Sequence, residues 1–396
     1  MNCLNARWLT IGGLLLSGAM GFGCQSQPAE KTDPQGKTAS KEAPVTPAPR
    51  PVNREFNDVA RFLAGLPPDE GSSLAEASAR PAFTKYSASF EKNWKKLNTS
   101  KVDAMKKWAA EELPETSRAT ATVFYPFSGP DFLHAFTFFP GSHRYSLIAL
   151  EPVGSVPKVS TMTPDATDQL FASVDRSLDS LMSFSFFKTD NMKVDLKKEL
   201  DGTLPILMVF VARTGNRITD IRPVEIDADG NVADQAPGVD SRPALKGVEI
   251  RFLAPDDPTE RRLEYFSVNL HNEYLLKSPA LLQYVDKLGR PNTYLKSASY
   301  LMYKAYFSRI RKAILDRSAF VLEDDSAIPY KYFNTPEWNV TLYGVYPRLI
   351  EMFKEHEQAD LAAAYKKADA AKPLPFGIGY SWRPGQSNLL AAKKKS

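Results

Sequence analysis

The chain has 396 residues, 43% of them hydrophobic and 11% aromatic, enough apolar material for one large packed domain or two smaller ones. Lys plus Arg is 50 against 46 for Asp plus Glu, and a net charge of +4 lacks the basic excess of a nucleic-acid-binding surface. With only 4 His and 2 Cys, a site built from several His or Cys ligands is not expected.

Arg7 precedes an uncharged segment, Leu9 to Gly23, rich in Leu, Gly and Ala. Its length of about 15 residues suits a secretory signal and falls short of the roughly 20 that span a bilayer as a helix. The segment ends at Gly21-Phe22-Gly23-Cys24. This resembles the signal of bacterial lipoproteins, in which a small residue precedes a Cys that is lipidated and becomes the mature N-terminus. Gly21 stands where that family prefers Leu, and an ordinary signal peptide with a chance Cys is the alternative reading. The resemblance implies removal of residues 1–23, a lipid on Cys24, and a membrane partner. Gln25 rather than Asp after the Cys implies the outer membrane, with the protein facing the periplasm. Cys3 leaves with the signal, so no thiol remains for a disulfide, a metal or a nucleophile.

Residues 24–52 read as the lipidated Cys and a disordered tether, since Pro, Ala, Lys and Thr dominate and large apolar residues are nearly missing. Residues 53–114 read as a helical N-terminal region. EFNDVARFLAGL places Phe56, Val59, Phe62 and Leu63 at helical spacing. Phe83, Tyr86, Phe90, Trp94, Leu97, Val102, Met105 and Trp108 continue it up to Pro114.

Residues 115–396 read as an α/β domain. TATVFYPF and RYSLIALEP are strand candidates, and PDFLHAFTFF between them starts a helix at Pro130-Asp131. A helical stretch follows near 165–187. LPILMVFVART, 204–214, is a continuous apolar run expected to be a strand buried on both faces. NRITDIRPVEIDADGNV predicts a strand and a turn at Asp229-Gly230, and VEIRFLA with RLEYFSVNL predicts a hairpin. In TYLKSASYLMYKAYFSRIRKAIL, the residues Leu295, Ala298, Leu301, Met302, Ala305, Ile310 and Ile314 fall near one stripe, which predicts a long amphipathic helix. AFVLEDD predicts a strand entering a polar turn. VTLYGVYPRLIEMF, a helix to about 370 and KPLPFGIGYSWRPGQSNLL complete the chain, and Lys393 to Lys395 read as a solvated run. The expected fold class is an α/β, Rossmann-like mixed sheet flanked by helices, with an antiparallel hairpin addition and the helical N-terminal region packed on it.

The segments FYPFSGPDFLHAFTFFPGSHRYSLIALEPVG, TYLKSASYLMYKAYFSRIRKAIL, VLEDDSAIPYKYF and PLPFGIGYSWRPGQSNLL resemble those of an uncharacterised family of exported bacterial proteins. That likeness covers most of the chain from about 115 onward and implies export and a shared fold, with no activity to carry over. The strand–turn–helix–strand order around Ser128-Gly129 is also similar to the opening of Rossmann-like folds, including S-adenosylmethionine-dependent methyltransferases. There the turn glycines admit a cofactor and an acid, here Glu151, binds ribose hydroxyls. One Gly replaces the GxGxG pattern, Pro126 and Pro130 stiffen the loop, and that cofactor is made in the cytoplasm. No cofactor is assigned.

The candidate ligand-binding residues are Ser128, Gly129, Asp131, Glu151, Asp324, Asp325 and Ser326, all expected at strand C-terminal ends. A helix start at Asp131 suits an anion. Ser128, Asp131 and His134 also invite a nucleophilic reading, which needs a Ser–base–acid chain; the plainer reading is a helix cap and a packed His. Glu323, Asp324 and Asp325 suit a hard cation or acid–base work, as a hydrolase or transferase would use them, or an ordinary solvated turn. Lys296, Ser297 and Ser299 either face the same crevice or lie on a helix surface. Asp227, Asp229 and Asn231 begin like a calcium loop but lack its closing Glu, so a hairpin turn is expected. The function read from these residues is that of an envelope lipoprotein binding a small ligand, with the carboxylate enzyme as the alternative. Metabolic labelling with a lipid precursor is expected to mark the wild-type chain and not Cys24→Ala; equal labelling of both would end the lipoprotein reading.

Overall fold

From Asn53, whose side chain accepts the Phe56 N–H at 3.2 Å, the chain enters α1 (Arg54–Leu63) and buries Val59, Phe62 and Leu63. In this computed structural model the described residues are 50–114, 116, 121–184, 200–235, 245–367 and 371–395, within a unit spanning Ala48–Ser396. The signal and most of the tether lie outside them. After α2 (Ala75–Ser78), α3 (Pro81–Leu97) buries Phe83, Tyr86, Phe90, Trp94 and Leu97, the stripe expected from spacing. A π turn, Asn98–Val102, leads into α4 (Asp103–Glu112), which buries Met105 and Trp108.

The next elements are β1 (Thr122–Pro126), α5 (Phe132–Phe138), β2 (Arg144–Ala149) and α6 (Pro164–Phe184). Then come α7 (Leu204–Arg213), β3 (Arg217–Ile226), β4 (Val232–Asp234), β5 (Leu245–Ala254) and β6 (Asp257–Ser267). The chain continues through α8 (Asn272–Lys277), α9 (Ala280–Lys287), β7 (Asn292–Leu295), α10 (Ser308–Arg317) and β8 (Phe320–Glu323). It ends with β9 (Trp338–Gly344), α11 (Ala359–Tyr365), β10 (Ala371–Lys372) and β11 (Asn388–Lys394).

The fold is α/β. One mixed sheet of 11 strands runs in the order β10-β9-β11-β8-β7-β1-β2-β6-β5-β3-β4, with helices on both faces. Its centre, β8-β7-β1-β2-β6, is parallel throughout. The strands β5, β3 and β4 extend one side antiparallel, and β11 is antiparallel to both β8 and β9. Alternation along β1 explains the layers: Val123 and Tyr125 join the core with α1 and α3 to α7, and Phe124 joins the core with α8 to α11. No helix among the described residues is long and apolar enough to cross a membrane.

Two sequence expectations change. Residues 204–213 form α7, not a strand; every residue from Leu204 to Ala212 is buried, so a helix enclosed on all sides produced the same unbroken apolar run as a buried strand. The stretch from Thr293 to Leu315 is not one helix. It is β7, a turn, two short 3₁₀ turns and α10, yet Leu295, Ala298, Met302, Ile310 and Ile314 still enter one core, so the stripe was real and the periodic element was not. Lys393 and Lys395 are exposed, as expected, while Lys394, half-buried at the end of β11, donates through Nζ to the Leu315 and Asp316 carbonyls at 2.6 and 3.1 Å, which caps α10. The Asp229-Gly230 turn is present between β3 and β4, where Asp227 Oδ1 accepts the Asp229 and Asn231 N–H groups.

Phe210 of α7 is fully buried, 6.4 Å between ring centroids from Trp94 of α3. Phe210→Ala is expected to cost about 3–5 kcal/mol in a denaturant titration, and a loss below about 1 kcal/mol would contradict the central place given to α7.

Candidate functional site

The site lies at the C-terminal ends of the parallel strands. β1 connects to β2 through α5 on one face, while β7 is reached through α8 and α9 and left through α10 on the other face. Chain direction therefore switches between β1 and β7, the place where open α/β sheets hold ligands. All four sequence segments likened to exported proteins meet here: the loop after β1, the loop after β7, the loop after β8 and the stretch before β11.

The loop after β1 turns at Phe127 and Gly129, with φ of 61° and 55°. Asp131 then caps α5, its Oδ1 accepting the His134 N–H at 3.2 Å. The same carboxylate meets His134 Nδ1 at 2.8 Å, accepts the Lys296 ammonium at 2.6 Å and accepts the Tyr125 hydroxyl at 3.1 Å. Asp131, His134 and Lys296 are 1%, 1% and 4% exposed, so this charge cluster is sealed from water. Burial alone would raise the Asp131 carboxyl, but His134 and Lys296 hold it well below the usual range. Burial pushes the His134 imidazole down despite Asp131. Lys101, brought inward by the π turn, lies over the Trp382 ring at 5.5 Å; burial and then the Lys296 charge lower its ammonium to about 8.

These contacts correct two expectations. The N-terminus of α5 does not await an external anion, because Asp131 fills it with the protein's own carboxylate. Lys296 is not on a helix surface but deep in the sheet edge. Nor do Ser128, Asp131 and His134 form a nucleophilic chain: Ser128 Oγ donates to the Gly129 and Ile148 carbonyls, at 2.8 and 3.4 Å, while His134 Nδ1 meets Asp131.

The carboxylates after β8 are not a solvated turn. Glu323 and Asp324 are buried, and the three side chains diverge. Glu323 accepts the Ile328 N–H at 3.1 Å. Asp324 Oδ2 accepts the Ser297 N–H at 2.9 Å, and its Oδ1 accepts the N–H and hydroxyl of Ser326. Asp325 accepts the Tyr300 hydroxyl at 2.7 Å. Ser326 Oγ in turn accepts the Ala298 N–H at 3.0 Å, and its carbonyl accepts Tyr300 N–H at 2.8 Å. The loop after β8 thus grips the loop after β7, where Ser297, Ser299 and Tyr300 have φ of 51°, 53° and 58°. Three non-glycine residues in the left-handed region cost about 1–3 kcal/mol each and persist only where the surroundings hold them. Gly379, also left-handed, packs so closely that a Cβ there would overlap Asp324 Oδ2. Among the described residues no group of three or more His, Cys, Asp or Glu is placed to hold a metal ion.

At the ends of β1, β2 and β6, beside the loop after β7, opens a cleft of about 160 Å³. Phe127, Leu150, Glu151, Leu270, Ser297, Ser299 and Phe307 are among the residues that line it. Of the predicted residues, Glu151, Ser297 and Ser299 therefore share one cleft. Ser128 and Gly129 adjoin it through Phe127, Asp131 lies in the buried cluster, and Asp324, Asp325 and Ser326 support the cleft wall from behind. Lys101 and Gly379 were missed. Lys101 sits in an otherwise amphipathic helical stretch, and the only signal for Gly379 was its place in a Gly-rich aromatic segment. Comparison with known proteins finds no matching family model, no matching curated relative and no matching solved structure.

Burial raises both Asp324 and Asp325, and the repulsion of Asp324 adds to the rise at Asp325, which reaches about 7. Asp324 accepts three hydrogen bonds, which offset part of its rise. A carboxyl raised on folding stabilises fully below its unfolded value near pH ~4 and loses that contribution as pH rises through its folded value. Asp325→Asn keeps a neutral partner for Tyr300 at every pH. Relative to the wild type, its melting temperature is expected to gain a few degrees between pH 5 and pH 8; a difference that does not change between those pH values would show that the pair does not titrate there.

Proposed function

We propose that this protein is a small-ligand-binding lipoprotein of the bacterial envelope, held by a lipid on Cys24 and taking its ligand in the cleft beyond β1, β2, β6 and β7. The observation that carries this reading is the strained wall of that cleft. Three left-handed non-glycine residues are held there by Asp324, Asp325 and Ser326, and such strain concentrates at binding and switch sites. A Rossmann-like arrangement belongs to the same reading and is supported by the parallel centre, the helices on both faces and the direction switch at β1 and β7. A nucleoside cofactor is not favoured, since about 160 Å³ is below the roughly 300–1,000 Å³ of sites that enclose ligands of that size. The alternative, a hydrolase or transferase working through Glu323, Asp324 and Asp325, is weakened because each carboxylate holds a loop in place.

Leu150 stands at the mouth of the cleft and is 62% exposed, so a larger side chain there blocks entry without disturbing the core. In a ligand-observed NMR screen of the full chain, fragments that bind the wild type are expected to lose at least tenfold in affinity against Leu150→Trp. The two melting temperatures without ligand should agree. Hits that bind both proteins equally would place the binding elsewhere and defeat the proposal.

A further inference from the structure

Helical backbone runs without a break from Pro81, through the π turn, to Glu112. Phe83, Phe90, Trp94 and Leu97 of α3 and Trp108 of α4 turn inward to the core. At about 3.6 residues per turn, Lys85, Lys92, Lys95 and Lys96 then point away from the sheet, and Lys107 continues the row on α4. These five and Lys106 are exposed, and none makes an ion pair or a side-chain hydrogen bond among the described residues. Elsewhere Lys304, Lys312, Lys354 and Lys372 each meet a carboxylate. Of the acids on the same stretch, Glu91 is held by Arg213 and Glu112 by Lys372, which leaves only Asp103 and Glu111 beside the row. Along α4 the row borders a groove of about 460 Å³ with a largely apolar lining, formed by Ala109, Ala110, Pro114, Phe136 and Pro140, and Lys106 also lines it. The tether ends on the same helix layer, because α1 packs on α3 through Phe62 and Phe83, whose ring centroids are 4.7 Å apart. The roughly 26 residues from Cys24 to Arg50 reach about 90 Å at most, so a lipid on Cys24 keeps this layer within range of a bilayer.

We infer that the lysine row of α3 and α4 is a second membrane contact, which docks the domain on an anionic phospholipid surface with the headgroup phosphates on the lysines and apolar lipid in the groove beside Lys106. The inference rests on the lipoprotein reading and adds the partner of this face. A lipid anchor holds a domain near a bilayer without orienting it, and lysines facing an anionic surface supply an attraction that acts within a Debye length. Lys85 and Lys107 are 22 residues apart on the helix, roughly 33 Å at ~1.5 Å per residue, so the row matches an extended charged surface and not a single small anion. The even charge balance of the whole chain speaks against a nucleic acid as the partner.

The test binds the full chain to preformed vesicles of phosphatidylcholine, with or without added phosphatidylglycerol, and reads lysine exposure by reductive methylation and mass spectrometry. Lys277 and Lys312, on helices of the opposite layer, serve as references. Relative to them, Lys92, Lys96 and Lys107 are expected to label at least about threefold more slowly on the anionic vesicles at about 0.1 M salt. At about 1 M, where the Debye length falls from ~10 Å to ~3 Å, the difference should vanish. Inorganic phosphate without vesicles should leave the rates unchanged; protection by phosphate alone would mean a small-anion site and overturn the proposal. The combined variant Lys92→Gln, Lys95→Gln and Lys96→Gln, at exposed positions, should keep the melting temperature and lose the protection of Lys107. Ala110→Glu, in the groove, should reduce the protection of Lys96 more than Ala88→Glu, the same charge on α3 away from the groove; equal effects would remove the groove from the proposal. The same digest shows whether the N-terminal peptide begins at a lipid-bearing Cys24. Equal labelling on both vesicles with that lipid present would overturn this inference and leave the lipoprotein reading standing. Protection without the lipid would support the lysine face and defeat the anchor.

Discussion

A carboxylate at 1% exposure, that of Asp131, sets the terms for the whole edge of the sheet. Taking such a charge out of water costs several kcal/mol unless a cation and donors replace the lost solvent. Lys296, His134 and Tyr125 replace it here, and they come from β1, α5 and the end of β7. The pair therefore does more than neutralise charge. It ties the loop after β1 to the loop after β7 across the point where the chain changes direction, and a cleft between those loops keeps its shape only while that tie holds.

The second tie runs the other way. Asp324 and Ser326 hold the loop after β7 from the β8 side, so this loop is gripped on both flanks by buried polar groups. Its three left-handed residues are the visible result: the backbone is bent into a conformation that it would not adopt alone, and hydrogen bonds to its N–H groups keep it there. Acidic residues that would be inert on a surface become structural when each meets a defined donor.

Much of the fold could be read from residue order. The helices of 53–114 followed from spacing, β1, β2 and β8 from short apolar runs with turn residues behind them, and the 229–230 turn from Asp-Gly. The failures have physical causes. In α7 every face is buried, so no periodicity remains to distinguish helix from strand. Pro205 in its first turn was the cue for a helix start. In the β7 region an apolar stripe arose from a strand, turns and a helix stacked on one core. The site was legible as a set of strand ends, which brought Glu151, Ser297 and Ser299 to one cleft. It was not legible in detail, because left-handed Ser297, Ser299 and Tyr300 contradict their own local preferences, and only the contacts of Asp324, Asp325 and Ser326 override them.

The place of β11 has a consequence for the order of folding. It is the last strand among the described residues, yet it lies inside the sheet between β8 and β9 and pairs with both. As the chain is made from its N-terminus, the open edges of β8 and β9 have no partner until residues 388–394 arrive, and Asp324 lacks the cover of Gly379 until the same moment. Long-range pairings of this kind are slow, and unpaired strand edges are prone to aggregate. An N-terminal piece that ends after β9 and before residue 388 therefore leaves the sheet open between β8 and β9.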